Sequence, residues 1–134
     1  MAGDALSTFP IETQTVTVEC ASGTRHTATW AGIPVFELLS AADVPGETTH
    51  VVVESDDGYR MCVDIYAALD GVLALFRDGT PISEEHPYET RFIAPEIDGA
   101  RTVKAVTRLE ARHLSPGTDP ESVEQLSREA KYSA

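Results

Sequence analysis

One cysteine stands where a thiol could do chemistry. Cys20 ends an alternating segment and is followed by a loop that holds Gly23, Arg25 and His26. A cysteine beside a glycine-containing loop is accessible, and nearby cations favour its thiolate form. A thiolate is a soft ligand that suits soft and borderline metals. The alternative is that Cys20 is a small apolar side chain in the core, as free cysteines often are.

Arg25 and His26 are the two candidate catalytic residues next to this cysteine. They could face an anionic substrate or a cofactor near the metal. They could instead be exposed residues that pair with acidic side chains. Because successive residues of a strand point to opposite faces, we expect only one of the two side chains to point toward the site.

The chain is strongly acidic. It has 22 Asp and Glu against 10 Lys and Arg, a formal net charge of -12 at pH 7. Such a surface repels phosphate backbones and anionic lipids, so we expect neither nucleic acid nor membrane partners. Only Lys104 and Lys131 are lysines. An acidic, lysine-poor composition suggests the salt-rich cytosol of halophilic archaea, where salt screens self-repulsion, although an ordinary acidic protein is the alternative.

Length, apolar pattern and cysteine count set further limits. A chain of 134 residues suits one domain with an ordinary core. No apolar run approaches a membrane span, and the N-terminus lacks the basic and apolar regions of a signal peptide. We therefore expect a cytoplasmic protein. The two cysteines, Cys20 and Cys62, indicate neither a disulfide framework nor a paired zinc motif.

The hydrophobic pattern predicts strand pairs joined by tight turns. Aspartate–glycine turns are expected at residues 56–58 and 78–79, and a polar loop over 83–89. Strands are predicted over 13–20, 25–30, 50–55, 59–65, 72–76, 91–94 and 102–111, and short helices over 34–42 and 65–69. Because strand pairs predominate over strand–helix alternation, the predicted fold is α+β, β-rich, with mixed or antiparallel sheet and two or three short helices.

The end of the chain is predicted to be separate from the main domain. Residues 1–114 are expected to form the domain, and residues 115–134 a polar linker and a helical tail. Pro120 can open a short helix for which Asp119 is the cap.

Five residues near the start of the chain carry a family resemblance: Cys20, Gly23, Trp30, Gly32 and Pro34. Their spacing resembles that of the molybdopterin-binding domain of the sulfite oxidase-like oxidoreductases. Later segments support the resemblance over residues 15–111. They are the Asp-Gly-Tyr turn at 57–59, the hairpin at 78–82, the stretch from His86 to Pro95, and the Gly…Val-Lys segment over 99–104.

The resemblance implies a site for molybdopterin with molybdenum. In that family the cysteine that matches Cys20 is a thiolate ligand of the metal. The stretches that match Arg91 and Lys104 lie close to the pterin and its phosphate in that family, and His86 could touch cofactor or substrate. An arginine fork matches phosphate geometry, and lysine supplies a point charge. The alternatives are ion pairing within an acidic sheet for Arg91 and Lys104, and a solvated loop for His86.

The resemblance also implies an activity. The domain is expected to transfer an oxygen atom at the cysteine-ligated molybdenum, with a small oxyanion or a sulfoxide as substrate. An electron-transfer protein or a completing subunit is the expected partner. Trp30, Gly32 and Pro34 are interpreted as scaffold, and Tyr59 and Tyr88 could direct hydroxyl groups into the site by family position.

Departures from the family pattern favour a rival hypothesis. Pro87 and Glu89 stand where glycine and proline are usual. Only nineteen residues precede Cys20, where family domains usually carry a further strand and helix. The rival is a binding or subunit module that keeps the fold without the cofactor. A weaker alternative is a zinc or iron site on Cys20 and His26, which would need Cys62 or His86 to converge on it.

Overall fold

Two antiparallel sheets form the framework of the protein. The computed structural model describes residues 9–19, 23–95, 97 and 99–125. The larger sheet contains β1 (Glu12–Glu19), β2 (Arg25–Pro34), β5 (Val72–Arg77), β6 (Thr80–Pro81) and β7 (Arg91–Ile93). The smaller sheet contains β3 (His50–Ser55), β4 (Arg60–Asp64) and β8 (Val106–Arg112). The pairs between these strands are antiparallel, which confirms the predicted β-rich α+β class.

Three short α-helices occur in the described part of the chain: α1 (Val35–Ala41), α2 (Ile65–Leu69) and α3 (Ile82–Glu85). The helix α2 begins where the sequence predicted it, because the Asp64 carboxylate accepts a hydrogen bond from the Tyr66 N–H at 2.9 Å. Pro34 remains in β2, so α1 begins one residue later than predicted. None of the helices among the described residues is long and apolar enough to span a membrane.

The hairpin of β1 and β2 has the predicted alternation. Its register runs from Glu12 opposite Gly32 to Glu19 opposite Arg25. Val16 and Val18 are buried on one face, whereas the threonines of β1 are exposed on the other. Burial of one face of a strand and exposure of the other produces this period of two.

The strand β5 lies in the middle of the larger sheet. It pairs with β2 on one edge and with both β6 and β7 on the other. The two residues between β5 and β6, Asp78 and Gly79, have φ angles of 51° and 84°. Two positive φ angles are typical of a type I′ hairpin turn, so the predicted turn is confirmed. This turn places Arg77, the last residue of β5, directly before the reversal of the chain.

The prediction of a strand over 102–111 is wrong for the first half of this range. The 3₁₀-helix Gly99–Arg101 comes first, and β8 begins only at Val106. Lys104 forms an isolated antiparallel bridge with Arg91, next to the larger sheet. Ala105 has a φ of 54°, which interrupts an extended strand and redirects the chain toward the smaller sheet. An alternating pattern cannot distinguish one strand from two extended segments that belong to different sheets.

The prediction of a polar loop over 83–89 is also wrong in part. Ile82, Ser83, Glu84 and Glu85 form the single turn α3. The Ile82 side chain is 1% exposed and contributes to the core, which holds this turn against β5. The remaining residues, 86–90, connect this turn to β7.

Apolar burial joins the two sheets and the helices. One cluster packs α1 and α2 on the smaller sheet and on β7, with Phe92, Val51 and Val103 fully or almost fully buried. Another lies on the face of the larger sheet that carries Val16, Trp30 and Ile93. Removal of these side chains from water is the main favourable term in folding. The second cluster is the one that surrounds the candidate site.

The segment after β8 lies against the edge of the smaller sheet. Asp119 caps the 3₁₀-helix Pro120–Val123 by accepting from the Glu121 N–H at 3.0 Å, as the sequence predicted. Gln125 then exchanges two backbone hydrogen bonds of 2.8 Å with Arg60 of β4. These bonds satisfy backbone groups at the edge of β4 that would otherwise be open to another strand.

Candidate functional site

Five of the six sequence-predicted site residues lie in the described part of the chain. Cys20, the expected metal ligand, lies outside the described residues. Arg25 and His26 begin β2, His86 follows α3, and Arg91 begins β7.

Arg25 has an acidic partner within its own hairpin. Its guanidinium lies 3.4 Å from the Glu19 carboxylate, directly across the strand pair. Both side chains are exposed, 71% for Arg25 and 55% for Glu19. An exposed ion pair of this kind contributes little to stability, so Glu19 orients Arg25 only weakly. A contact of Arg25 with substrate stays a prediction.

His26 lies on the other face of the hairpin. It is opposite Val18, and it alternates in β2 with Ala28 and Trp30, both of which are buried. Residues at i, i+2 and i+4 share one face of a strand. His26 is therefore on the face of Trp30 and Arg25 is not, which agrees with the expectation that only one of the two points toward the site.

Two arginines meet at the only tryptophan of the chain. The Arg77 and Arg91 guanidinium carbons each lie 5.5 Å from the centre of the Trp30 ring. At this distance the electron-rich face of an indole attracts a cation. Arg77 is directly opposite Trp30 on the neighbouring strand, and Arg91 is opposite Ala74 at the far edge of β5. Three strands of the larger sheet thus bring these three side chains together.

Tyr88 is the fourth member of this group, which we call the Trp30 cluster (Trp30, Arg77, Tyr88 and Arg91). Burial raises the pKa of the Tyr88 hydroxyl, and the charges of Arg91 and Arg77 act in the opposite direction. Tyr88 is buried in the same apolar cluster as Trp30. His86 stacks on the Tyr88 ring, with the ring centres 5.1 Å apart and the planes 18° from parallel. His86 thus lies at the border of the cluster.

Arg91 has a defined orientation. Its Nε donates to the Thr102 carbonyl at 3.2 Å, and its Nη2 donates to the Thr102 hydroxyl at 2.9 Å. Lys104 lies beside it through the isolated backbone bridge. The chain therefore brings together Arg91, Lys104 and His86, the three residues that the family resemblance assigns to the cofactor. Their contact with a cofactor stays a prediction.

Sequence reasoning did not single out Arg77 and interpreted Trp30 only as scaffold. Arg77 ends an apolar strand and precedes an aspartate–glycine turn, a pattern that many surface arginines share. Its importance depends on the register of β2 against β5, which shifts between Ala31 and Gly32. The scarcity of cations in this chain is the one sequence signal that could have drawn attention to it.

The cluster contains buried donors that have no acceptor among the described residues. The Trp30 Nε1 and the Arg77 Nε are both buried and make no hydrogen bond there. Buried polar groups are normally satisfied, so two unpaired donors at one place are consistent with an acceptor from outside the chain, which is either a water molecule or an anion. Phosphate oxygens are acceptors only, and arginine matches their geometry. The donors of the Trp30 cluster thus fit the phosphate of a molybdopterin.

A second feature is an open groove of about 990 Å³ between α1, β5 and β8. Its walls are mostly apolar, from residues such as Leu38, Leu75 and Leu109, and among the described residues that line it Arg108 is the one cation. Glu89, which departs from the family pattern, also lines it. An anion is therefore favoured in the Trp30 cluster rather than in this groove.

The described residues do not form a metal-binding site from their own His, Cys, Asp and Glu side chains. No group of three or more His, Cys, Asp and Glu side chains that could hold a metal ion occurs within residues 9–19, 23–95, 97 and 99–125. Because Cys20 is outside these ranges, the zinc or iron alternative stays an untested prediction.

These features are those expected of a molybdopterin-binding domain. The chain belongs to the oxidoreductase molybdopterin binding domain family, whose sequence model matches residues 2–117. The resemblance inferred from Cys20 and the residues after it is thereby confirmed at the level of the family.

Individual relatives agree with this assignment. Mitochondrial sulfite oxidase of Drosophila melanogaster is 32% identical over 99 residues, which cover 66% of this chain and 17% of that protein. Mitochondrial sulfite oxidase of Mus musculus is 27% identical over 137 residues, with 79% and 25% covered. The crystal structure of the sulfane dehydrogenase SoxCD from Paracoccus pantotrophus matches with a TM-score of 0.78 and 25% identity, over 88% of this chain and 36% of that one. The chain thus spans 17% to 25% of the length of these two sulfite oxidases.

Proposed function

We propose that this chain is a sulfite oxidase-like oxidoreductase domain that binds molybdopterin with its molybdenum. The observation that carries the proposal is the Trp30 cluster, where the guanidinium groups of Arg77 and Arg91 lie against one indole, and where the indole Nε1 and the Arg77 Nε are buried without a hydrogen bond among the described residues. Membership of the family supplies the chemical class of the ligand. When bound, molybdopterin supplies a metal centre at which an oxygen atom is transferred in a two-electron reaction.

The residues of the chain would hold and orient this group. Cys20 would provide the thiolate ligand of molybdenum. Arg91, whose guanidinium lies beside the Trp30 ring, would bind the pterin phosphate, and Lys104 would add a second positive charge. Two cations next to a phosphate neutralise its charge and hold it in one position, which is what orientation of a cofactor requires.

His26 is the better candidate for a substrate contact. It lies on the face of Trp30, whereas Arg25 pairs with Glu19 on the other face. The imidazole of His26, near the start of β2, would donate a hydrogen bond to an oxygen of a small oxyanion or of a sulfoxide. The proposed substrate is accordingly a small oxyanion or a sulfoxide, and the proposed partner is an electron-transfer protein or a completing subunit.

Metal and pterin analysis tests this function directly. The chain is produced in a host that makes molybdopterin and is purified at high salt, because its acidic, lysine-poor composition supports the proposal of a salt-rich cytoplasm. We expect close to one molybdenum and one pterin per chain, measured by plasma mass spectrometry and by fluorescence of the oxidised pterin.

Two cysteine variants make this experiment specific. Cys20→Ser should lose molybdenum, whereas Cys62→Ser, which changes a buried cysteine of β4, should retain it. Arg91→Gln should lose pterin and metal together. Wild-type protein that lacks both would contradict the proposal and would favour the rival, a binding or subunit module that keeps the fold without the cofactor.

A further inference from the structure

Arg77 occupies an unusual position for the last residue of an apolar strand. It is directly opposite Trp30, and its guanidinium lies against the indole ring. The turn formed by Asp78 and Gly79 begins immediately after it. A cross-strand neighbour, a ring contact and a tight turn together restrict where this side chain can go.

The charge of Arg77 is not matched by an acid in the described part of the chain. No carboxylate there lies within ion-pair distance of it, although 22 acidic residues are present in the sequence. The adjacent Asp78 is engaged elsewhere, since its carboxylate accepts a hydrogen bond from the Thr29 N–H at 2.8 Å. The Arg77 Nε is buried without a hydrogen bond. A buried donor of a charged group that lacks an acceptor costs more than a neutral one.

Trp30 has the same deficit. Trp30 is only 4% exposed, and its Nε1 has no hydrogen-bond partner among the residues described. An indole N–H is a donor only, and so is every nitrogen of a guanidinium. Trp30 and Arg77 therefore cannot satisfy each other. What both lack is an acceptor.

We propose that Arg77 and Trp30 form an oxyanion-binding site, in which a tetrahedral anion such as a phosphate monoester or a free oxyanion accepts hydrogen bonds from Arg77 and from the Trp30 indole. Arg91, oriented by Thr102, contributes a second positive charge to the same site. This inference adds a binding residue, Arg77, to the residues that the family pattern indicates. It rests on the proposed function only for the identity of the anion, since a molybdopterin phosphate is one ligand of this class.

The tryptophan itself provides the measurement. Trp30 is the only tryptophan in the chain, so its fluorescence reports binding at this site. Cofactor-free protein, from a host that lacks molybdopterin, is titrated with inorganic phosphate and with sulfate, and chloride keeps the ionic strength constant. We expect a saturable change in emission. The absence of a saturable change with both anions would overturn the proposal.

Matched variants assign the effect to Arg77. Arg77→Gln should weaken anion binding at least tenfold, and Arg77→Lys should weaken it less. Arg108→Gln removes the same charge from β8, where the arginine side chain is 63% exposed and pairs with Glu110 at 2.8 Å, and should change the dissociation constant less than twofold. An Arg77→Gln variant that binds both anions as well as wild type would refute the proposal.

A stability measurement separates binding from a structural role. If Arg77 serves the ligand, removal of its unsatisfied buried donor leaves the urea midpoint of the cofactor-free protein unchanged or higher. If its role were to hold the fold, Arg77→Gln would lower that midpoint in the absence of anion, and this result would count against the proposal.

Protein loaded with cofactor distinguishes the two sources of the anion. If the ligand is the pterin phosphate, loaded protein no longer responds to inorganic phosphate, and Arg77→Gln reduces pterin content. If the ligand is a free oxyanion, loaded protein still binds sulfate, and Arg77→Gln keeps its pterin. Either outcome supports Arg77 as an oxyanion residue. Protein that retains no pterin at all contradicts the proposed function, whereas the phosphate titration still decides the role of Arg77.

Discussion

Arg91 donates two hydrogen bonds to Thr102, one to its carbonyl at 3.2 Å and one to its hydroxyl at 2.9 Å. The Thr102 hydroxyl in turn donates to the Gly99 carbonyl at 2.6 Å. Thr102 is 3% exposed, so its position is set by the surrounding core. A cation held through a buried hydroxyl has fewer orientations to lose when a ligand arrives, which favours binding.

Replacement of Thr102 by valine tests this relationship. Thr102→Val keeps the shape of the side chain but removes the hydroxyl, so Arg91 loses one acceptor. We expect a loss of about 1–2 kcal/mol in the free energy of unfolding and a several-fold lower pterin content. Urea denaturation and pterin fluorescence measure the two effects. Thr102→Ser retains the hydroxyl and is the control, and a serine variant as impaired as the valine variant would contradict the argument.

Local features of the fold could be predicted from the sequence because a few neighbouring residues determine them. The Asp64 cap of α2 depends on one carboxylate and an N–H two residues later. The turn at Asp78 and Gly79 depends on two residues that accept positive φ angles. The burial of Val16 and Val18 follows from their alternation in β1.

The composition of the site could be predicted only in part, because it depends on pairing between distant strands. Arg91 and Lys104 were identified by family pattern, and the structure brings them together across thirteen positions of sequence through an isolated bridge. The meeting of Arg77 with Trp30 depends on a register shift in β2 that no local signal encodes. No local signal encodes the change of chain direction at Ala105 either, and for this reason the prediction of one strand over 102–111 is wrong in its first half.

The close approach of β2 and β5 at Gly32 gives a second prediction. A Cβ atom at Gly32 would overlap the Leu73 carbonyl oxygen and would come within 2.6 Å of the Ala74 Cα. Because both obstacles are backbone, neither can rotate away. Gly32→Ala should therefore lower the free energy of unfolding by at least about 2 kcal/mol and disturb the register that places Arg77 opposite Trp30.

Gly46→Ala is the matched control for this substitution. A Cβ atom at Gly46 meets no atom within 4 Å. The free energy of unfolding should change by no more than about 0.5 kcal/mol. Urea denaturation of both variants, with Trp30 emission as the probe, checks the prediction. Equal stability of the two variants would show that the strand pair tolerates a side chain at Gly32.

The segment after β8 gives a third prediction. The Glu124 carboxylate lies 2.8 Å from the Arg101 guanidinium and accepts the backbone N–H of Cys62 at 2.8 Å. Its side chain is 11% exposed, so these contacts are largely shielded from water. Glu124→Ala removes the acceptor from both donors and should cost about 1–3 kcal/mol in the free energy of unfolding.

Glu121 provides the comparison for Glu124. Its carboxylate lies 3.8 Å from Arg101 and is 72% exposed. Exposed ion pairs contribute between zero and about 1 kcal/mol, so Glu121→Ala should have a small effect on the urea midpoint. If the two alanine variants unfold at the same urea concentration, the contacts of Glu124 with β4 do not stabilise the domain.

The last prediction concerns alkaline pH. Burial raises the pKa of the Cys62 thiol above its usual value of 9.0, and the nearby Glu124 carboxylate raises it further, whereas Arg101 and Arg112 act in the opposite direction. The unfolded thiol loses its proton first as the pH rises, so deprotonation above about pH 9 favours the unfolded state. The stability that the neutral thiol contributes is complete below this pH and is lost as the pH rises through the folded pKa.

Cys62→Ala should therefore flatten the alkaline part of the stability profile. Between pH 8 and 10, measured by urea denaturation, the variant should lose less free energy of unfolding than wild type, by at most about 1.4 kcal/mol for each pH unit above the unfolded pKa. For each protein, the change in the free energy of unfolding between pH 8 and pH 10 is compared. The absolute stability is not compared, because the smaller side chain also leaves a cavity. The other titrating groups, among them Tyr88 with its own raised pKa, are common to both proteins and cancel. Parallel profiles for the two proteins would mean that the Cys62 thiol titrates alike in the folded and unfolded chains.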